Sequence, residues 1–189
     1  MLKKDARKEY MKKRDEISYS DRVKWDDLIL IHFQTLDIPF IDYVLSFYPI
    51  EEKNEVNSIL LTDYLHFKNP SLQICYPKTD FSTNTMHAIN CHADSIFEPN
   101  SAGIMEPLDT DVVAPEEIDL IIIPMLICDM QGNRVGYGKG FYDRYLKNIR
   151  RDCMKVGVSY FTPIDRIEDT ADFDVPLDFC ITPERAYVF

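Results

Sequence analysis

The sequence predicts an α/β fold, with a mostly parallel central sheet flanked by helices in a single domain over residues 1–189. Two observations carry most of this reading. Strand-like segments, β-branched and aromatic, alternate with segments of helix-forming composition, the pattern of a sheet whose crossovers are helices. The run Asp119 to Ile123 sets apolar residues at consecutive positions, as a strand covered on both faces requires. Length and composition agree, since 189 residues with 46% hydrophobic and 28% charged content suit one domain with a full-sized core.

Residues 2 to 17 are helix formers without Gly or Pro and predict the first helix. Ser18, Ser20 and Asp21 supply a stop and a fresh N-cap, and Val23, Leu28, Ile31, Phe33 and Leu36 give the second helix a rough apolar stripe. Ile41 to Phe47 reads as a buried strand that meets a loop at Tyr48 and Pro49. After the polar loop Glu51 to Asn54, residues 55 to 67 are helical, with Val56, Ile59, Leu60 and Tyr64 toward the core. Leu72 to Tyr76 and Met86 to Asn90 are strands across a turn rich in Thr, Ser and Asn. Pro99 to Pro115 is the loosest stretch, a long surface connection, and the last elements are a helix from Gly140 to Arg151 and a strand from Met154 to Tyr160.

The 21 Lys and Arg against 32 Asp and Glu give a net charge of −11, which repels a phosphate backbone and excludes a general nucleic-acid binder. Locally the balance reverses: Lys3, Lys4, Arg7, Lys8, Lys12, Lys13 and Arg14 face only Asp5 and Glu9 among the first fourteen residues. Such an arm can grip one small anion, or it can be a solvated helix face. Cys75, Cys91, Cys128, Cys153 and Cys180 show neither a disulfide framework nor a CxxC spacing, so buried free thiols in a reducing compartment are expected. The four histidines have no metal-ligand spacing. The charge-free run Leu120 to Cys128 is broken by Pro124 and falls far short of the roughly 20 residues of a membrane span. The N-terminus lacks the apolar core of a signal peptide, so the expected location is cytoplasmic.

The chain has only six glycines, and Gly132, Gly136, Gly138 and Gly140 fall within one short segment. Gly136, Gly138 and Gly140 alternate and lead into a helix. Glycine lets backbone approach a ligand or take positive φ, and the N–H groups of such a loop can converge on an anion. The helix start adds free N–H groups and a positive dipole end, while Arg134 and Lys139 add full charges. These are the parts of a phosphate site. It is neither a Walker A loop nor a dinucleotide fingerprint, because Gly140 follows Lys139 where Ser or Thr is needed and the glycines lie about a dozen residues beyond a strand. Asp143 either complements the dipole and pairs with Lys147 or ligates Mg²⁺ beside a polyphosphate, and spacing leaves both open. Phe141 and Tyr145, four apart, are expected to pack into the core.

The string Arg-Val-Gly-Tyr-Gly-Lys-Gly-Phe-Tyr-Asp-Arg-Tyr-Leu, residues 134 to 146, closely resembles the signature of the 5-formyltetrahydrofolate cyclo-ligases, also called 5,10-methenyltetrahydrofolate synthetases. Other blocks agree in order. Lys3 to Arg7, with Arg14 and Ser18, is similar to the family's basic N-terminal helix, and Tyr48-Pro49 followed by Glu55-Val-Asn-Ser resembles its substrate loop. Gly103-Ile-Met-Glu-Pro107, Asp119 to Pro124, Phe173-Asp-Val-Pro-Leu-Asp178 and Ile181-Thr182 match further blocks.

The resemblance implies a fold like that of sugar-phosphate isomerases and CoA transferases. It also implies ATP-dependent closure of 5-formyltetrahydrofolate to 5,10-methenyltetrahydrofolate through a phosphorylated formyl group, with Mg²⁺. From the charge balance and the lack of an apolar span no nucleic-acid or membrane partner is expected, and the expected state is a monomer. Carried over by residue, Lys3, Lys4, Arg7 and the run Arg134, Val135, Gly136, Tyr137, Gly138, Lys139, Gly140, Phe141 and Tyr142 would bind ATP. Tyr48, Glu55 and Tyr137 to Phe141 would contact the folate, Lys139 and Arg134 would act in catalysis, and Asp143 with Asp178 would hold Mg²⁺. Two alternatives stand beside this reading. Asn57-Ser58 replaces the family's usual acidic residue and Thr, which motivates a non-catalytic nucleotide- or folate-binding protein of the same fold; a sugar-phosphate isomerase would need no ATP.

Overall fold

The computed structural model describes residues 1–189. Helix α1 (Lys3–Asp15) gives way to α2 (Tyr19–Phe33) at Ser18, whose side chain accepts the Asp21 N–H as the predicted N-cap. Strand β1 (Tyr43–Leu45) and helix α3 (Ile59–Lys68) follow, then the hairpin of β2 (Gln73–Asp80) and β3 (Thr85–Cys91). A ribbon of β4 (Phe97–Pro99) and β5 (Met105–Pro107) leads to β6 (Val112–Val113) and β7 (Leu120–Pro124). A second ribbon, β8 (Ile127–Cys128) with β9 (Arg134–Val135), precedes α4 (Phe141–Leu146), β10 (Met154–Val158), β11 (Phe179–Ile181) and β12 (Ala186–Val188).

The central sheet runs β12-β11-β10-β7-β1-β2-β3-β6. The pairs from β11 through β10, β7 and β1 to β2 are parallel; β12 at one edge, and β3 followed by β6 at the other, are added antiparallel. Strand β7 explains why its apolar residues are consecutive. Leu120 and Ile122 pack on one face with Ile29 and Phe33 of α2 and Leu61 and Leu65 of α3, whereas Ile121 and Ile123 pack on the other with Tyr145 and Leu146 of α4. No helix is long and apolar enough to cross a membrane.

Three expectations are corrected. In α2 the buried residues are Asp26, Ile29 and Phe33, while Val23, Leu28 and Ile31 are exposed. Buried Asp26 accepts the Tyr160 hydroxyl at 2.7 Å, so a carboxylate on the core side turned the helix away from the stripe that hydropathy suggests. Pro99 to Pro115 is not a plain connection, since it contains β5 and β6 and its ribbon packs beside the central sheet. Helix α4 ends at Leu146 instead of Arg151, and Arg150 pairs with Asp119 at the start of β7.

Candidate active site

The parallel strands end together on one side of the sheet, and a cleft of about 250 Å³ opens there beyond Phe47 and Pro124. Such an edge is a common ligand site because loops from several strands converge on it. The β8–β9 ribbon presents the glycine segment. Its turn is organised by Asp129, fully buried, whose Oδ1 accepts the N–H groups of Gln131 and Asn133 at 3.0 and 2.9 Å and whose Oδ2 accepts that of Ile167 at 2.9 Å.

Beyond Val135 the loop needs glycine at two points. Gly138 has φ +88° and Gly140 φ +69°, and a side chain at Gly138 would sit 3.1 Å from the Arg7 guanidinium. Arg7 also donates through Nε to the Gly136 carbonyl at 2.9 Å, which ties α1 to the loop. Lys3, on the same helix, pairs with Asp174, and both line the cleft. Arg134 donates to the Val175 carbonyl and to Asp143. Its burial lowers the guanidinium pKa, and Asp143 and Asp174 beside it oppose that shift.

Glu55 joins the loop from another side. Its Oε1 accepts the Tyr137 hydroxyl at 2.5 Å and its Oε2 accepts the Ile50 N–H at 2.9 Å, while Arg14 donates to the same tyrosine oxygen. Burial, then the Glu55 charge, push the Tyr137 hydroxyl pKa upward, so it stays a proton donor to Glu55. Tyr142 lies nearby with its hydroxyl buried and without a partner in the chain, and burial likewise raises its pKa.

The structure therefore gathers Lys3, Arg7, Tyr48, Glu55, Arg134, Gly136, Tyr137, Gly138, Lys139, Gly140, Phe141, Tyr142 and Asp143 around one cleft. Lys4 is exposed and does not line it, and Val135 turns into the core against Ala6 and Tyr10. Asp178 is likewise elsewhere. It precedes β11 at the strand starts, opposite Pro124, where its carboxylate accepts the Lys155 N–H at 2.8 Å and pairs with Lys155 Nζ at 2.7 Å. Asp174, earlier in the same sequence block, is the aspartate that reaches the cleft. Phe141 lines the cleft edge-on to Phe81, with ring centroids 5.5 Å apart, whereas Tyr145 packs in the core as expected.

Sequence reasoning also passed over Glu106 and Phe81, which line the cleft from the β4–β5 ribbon and the hairpin turn. The available signal for Glu106 was its place in the Gly103 to Pro107 block, as the one carboxylate there amid apolar residues and proline. No cluster of three or more His, Cys, Asp or Glu side chains is present. Asp143 and Asp174 supply two carboxylates, which is the protein share that Mg²⁺ uses when phosphate oxygens complete its shell, so the donor set suits the ion.

The sequence matches the model of the 5-formyltetrahydrofolate cyclo-ligase family over residues 2–183. A 5-formyltetrahydrofolate cyclo-ligase of Mycoplasma pneumoniae is 30% identical over 189 residues, covering 97% of this chain and all of the relative. The Escherichia coli 5-formyltetrahydrofolate cyclo-ligase is 31% identical over 64% of this chain and 66% of its own. Among solved structures, the Aquifex aeolicus 5,10-methenyltetrahydrofolate synthetase superposes with a TM-score of 0.81 at 29% identity, covering 100% of this chain and 93% of that one. The 5,10-methenyltetrahydrofolate synthetase of Mycoplasma pneumoniae gives 0.75 at 28% identity over 97% and 100%. With the family model spanning nearly every residue and the same fold in its solved members, this chain belongs to the 5-formyltetrahydrofolate cyclo-ligase family.

Proposed function

We propose that this protein uses ATP to convert 5-formyltetrahydrofolate into 5,10-methenyltetrahydrofolate, releasing ADP and phosphate. One observation carries the proposal: a single cleft combines a glycine loop beside Arg7, Arg134 and Lys139 with an apolar wall that includes Phe47, Phe81 and Ile104. The first half suits a polyphosphate and the second a flat, weakly polar ring.

In the first step the formyl oxygen attacks the γ-phosphorus, and the bond from phosphorus to the ADP oxygen breaks. The N10 lone pair then adds to the activated formyl carbon, the carbon–oxygen bond breaks as phosphate leaves, and the N10 proton passes to water. Neither step uses a protein nucleophile. The residues bind, orient and neutralise charge, with Lys139 and Arg134 at the oxygens that gain charge and the loop N–H groups beside them. Mg²⁺, when bound, supplies further neutralisation of the phosphates, and Asp143 with Asp174 would hold it.

A single copy of the chain, working as one domain over 1–189, lines the whole cleft, which supports a monomeric catalyst. The five free thiols suit a reducing compartment such as the cytoplasm. The non-catalytic reading loses its motive, because Asn57 and Ser58 do not line the cleft. Ser58 donates to the Phe47 carbonyl at 2.5 Å, and Asn57 Oδ1 accepts the Ile59 N–H at 3.2 Å, both structural duties at the start of α3.

The test is incubation with ATP, Mg²⁺ and 5-formyltetrahydrofolate while following the methenyl absorbance and ADP. The expected result is one ADP per methenyl product. Folded protein that produces no ATP-dependent signal would refute the proposal.

A further inference from the structure

Glu106 is buried, only 8% exposed, yet forms no ion pair with any cation of the chain. Its two oxygens are treated differently. Oε1 accepts the Thr79 N–H at 2.9 Å, the Asn100 Nδ2–H at 2.8 Å and the Thr79 hydroxyl. Oε2 accepts nothing from the chain and is not among the sealed, unpartnered polar atoms, so it must face the cleft that Glu106 lines. Of the other cleft carboxylates, Asp143 and Asp174 pair with Arg134 and Lys3, and Glu55 has no such spare oxygen, since Tyr137 and Ile50 occupy both of its own. A buried carboxylate with one oxygen pinned by three donors and the other open is a rigid acceptor awaiting donors from a ligand.

Resting on the folate reading above, we propose that Glu106 is the residue that recognises the pterin, through the 2-amino and N3–H edge of its pyrimidinone ring. That edge carries two adjacent N–H donors. The amino edge of adenine is a poorer match, because its neighbouring ring nitrogen is an acceptor that would repel the carboxylate. Thr79, Phe81 and Ile104 border Glu106 in the cleft and would flank the flat ring. The edge is also the part of the pterin farthest from N5. Anchoring it leaves the N5 formyl group and the N10 arm projecting away from Glu106, so both reacting centres stay free to meet the phosphates at the glycine loop.

The Glu106→Gln variant tests this with a defined sign. The three donors at Oε1 require the amide oxygen there, so the NH₂ group must replace Oε2 and present a donor to the substrate's donors. Titrations of folded protein are expected to show 5-formyltetrahydrofolate binding weakened by about 10- to 100-fold with ATP binding changed by less than about twofold. Wild-type protein is expected to prefer the substrate over its isosteric 2-desamino-2-methyl analogue by about tenfold or more, a preference that the variant loses. The wild-type comparison decides the matter even if the variant does not fold. Equal wild-type affinity for substrate and analogue overturns the proposal, as does a variant that loses ATP and keeps folate. Wild-type protein that binds no 5-formyltetrahydrofolate instead overturns the folate reading on which it rests.

Discussion

The Tyr137 hydroxyl donates to Glu55 Oε1 at 2.5 Å across 82 positions of sequence, and Arg14 of α1 donates to that same hydroxyl. Three separate segments thus meet at one phenol: the basic helix, the loop before α3 and the glycine loop. The Lys53 ammonium, 4.5 Å from the Tyr137 ring centroid, adds a third contact, from the same loop as Glu55. The cleft owes its shape to this junction, because each segment alone is a turn or a helix end.

Tyr137→Phe is expected to lower stability by about 1–3 kcal/mol, since it leaves the buried Arg14 without its hydroxyl partner and Glu55 Oε1 without a donor. Urea denaturation measures the loss. Combining it with Glu55→Gln in a double-mutant cycle should give a coupling energy clearly above zero, and strict additivity would show that the junction carries no energy.

Lys139 is exposed at the cleft, and its own carbonyl, not its side chain, accepts the Arg144 Nη2–H at 2.8 Å. Lys139→Ala should therefore leave the thermal midpoint almost unchanged while kcat for methenyl formation falls by roughly 100- to 1000-fold, as for loss of one preorganised charge. An unaltered kcat removes Lys139 from the chemistry.

Gly138→Ala forces a side chain into φ +88° and to 3.1 Å from Arg7. We expect about 1–2 kcal/mol of destabilisation and nucleotide affinity reduced by roughly tenfold as Arg7 is displaced from the Gly136 carbonyl. Gly136→Ala is the stability control, for a Cβ there meets nothing within 4 Å and φ is not positive. Equal stability of the two variants would contradict the assignment of strain to Gly138.

Burial raises the pKa of Asp26 above its ordinary 3.8, against the lowering effect of hydrogen bonds from Tyr160 and Asn57. The folded state then holds the proton more tightly than the unfolded one, so this group's contribution is full below pH 3.8 and is lost as pH rises toward the raised value. Asp26→Asn keeps an oxygen for Tyr160 and Asn57 and removes the charge. It should be more stable than the wild type at pH 7, with the difference vanishing as pH falls through 3.8. Denaturation at a series of pH values checks the sign, and a variant less stable at pH 7 would contradict it.

Much of the fold was legible because its signals are local. The N-cap at Ser18, the both-faces burial of β7 and the clustered glycines each follow from a few adjacent residue types. The α2 face was misread for an equally physical reason. Hydropathy ranks Val23 and Ile31 above Asp26, and only the distant Tyr160 hydroxyl makes burying Asp26 acceptable. Asp174 and Asp178 illustrate the same limit within one short block. Both are aspartates near proline, and what separates them is that one meets Lys3 at the cleft while the other meets Lys155 at the opposite sheet edge.

By itself the sequence determined the α/β class, the place of the glycine loop and the family, since periodicity, glycine spacing and a contiguous signature are properties of neighbouring residues. Tertiary structure alone decided which carboxylates share the cleft, that Arg14 and Glu55 meet on Tyr137, and that Glu106 keeps one oxygen free. Those are relations between side chains brought together from distant segments, and they exist only once the sheet has set the order of its strands.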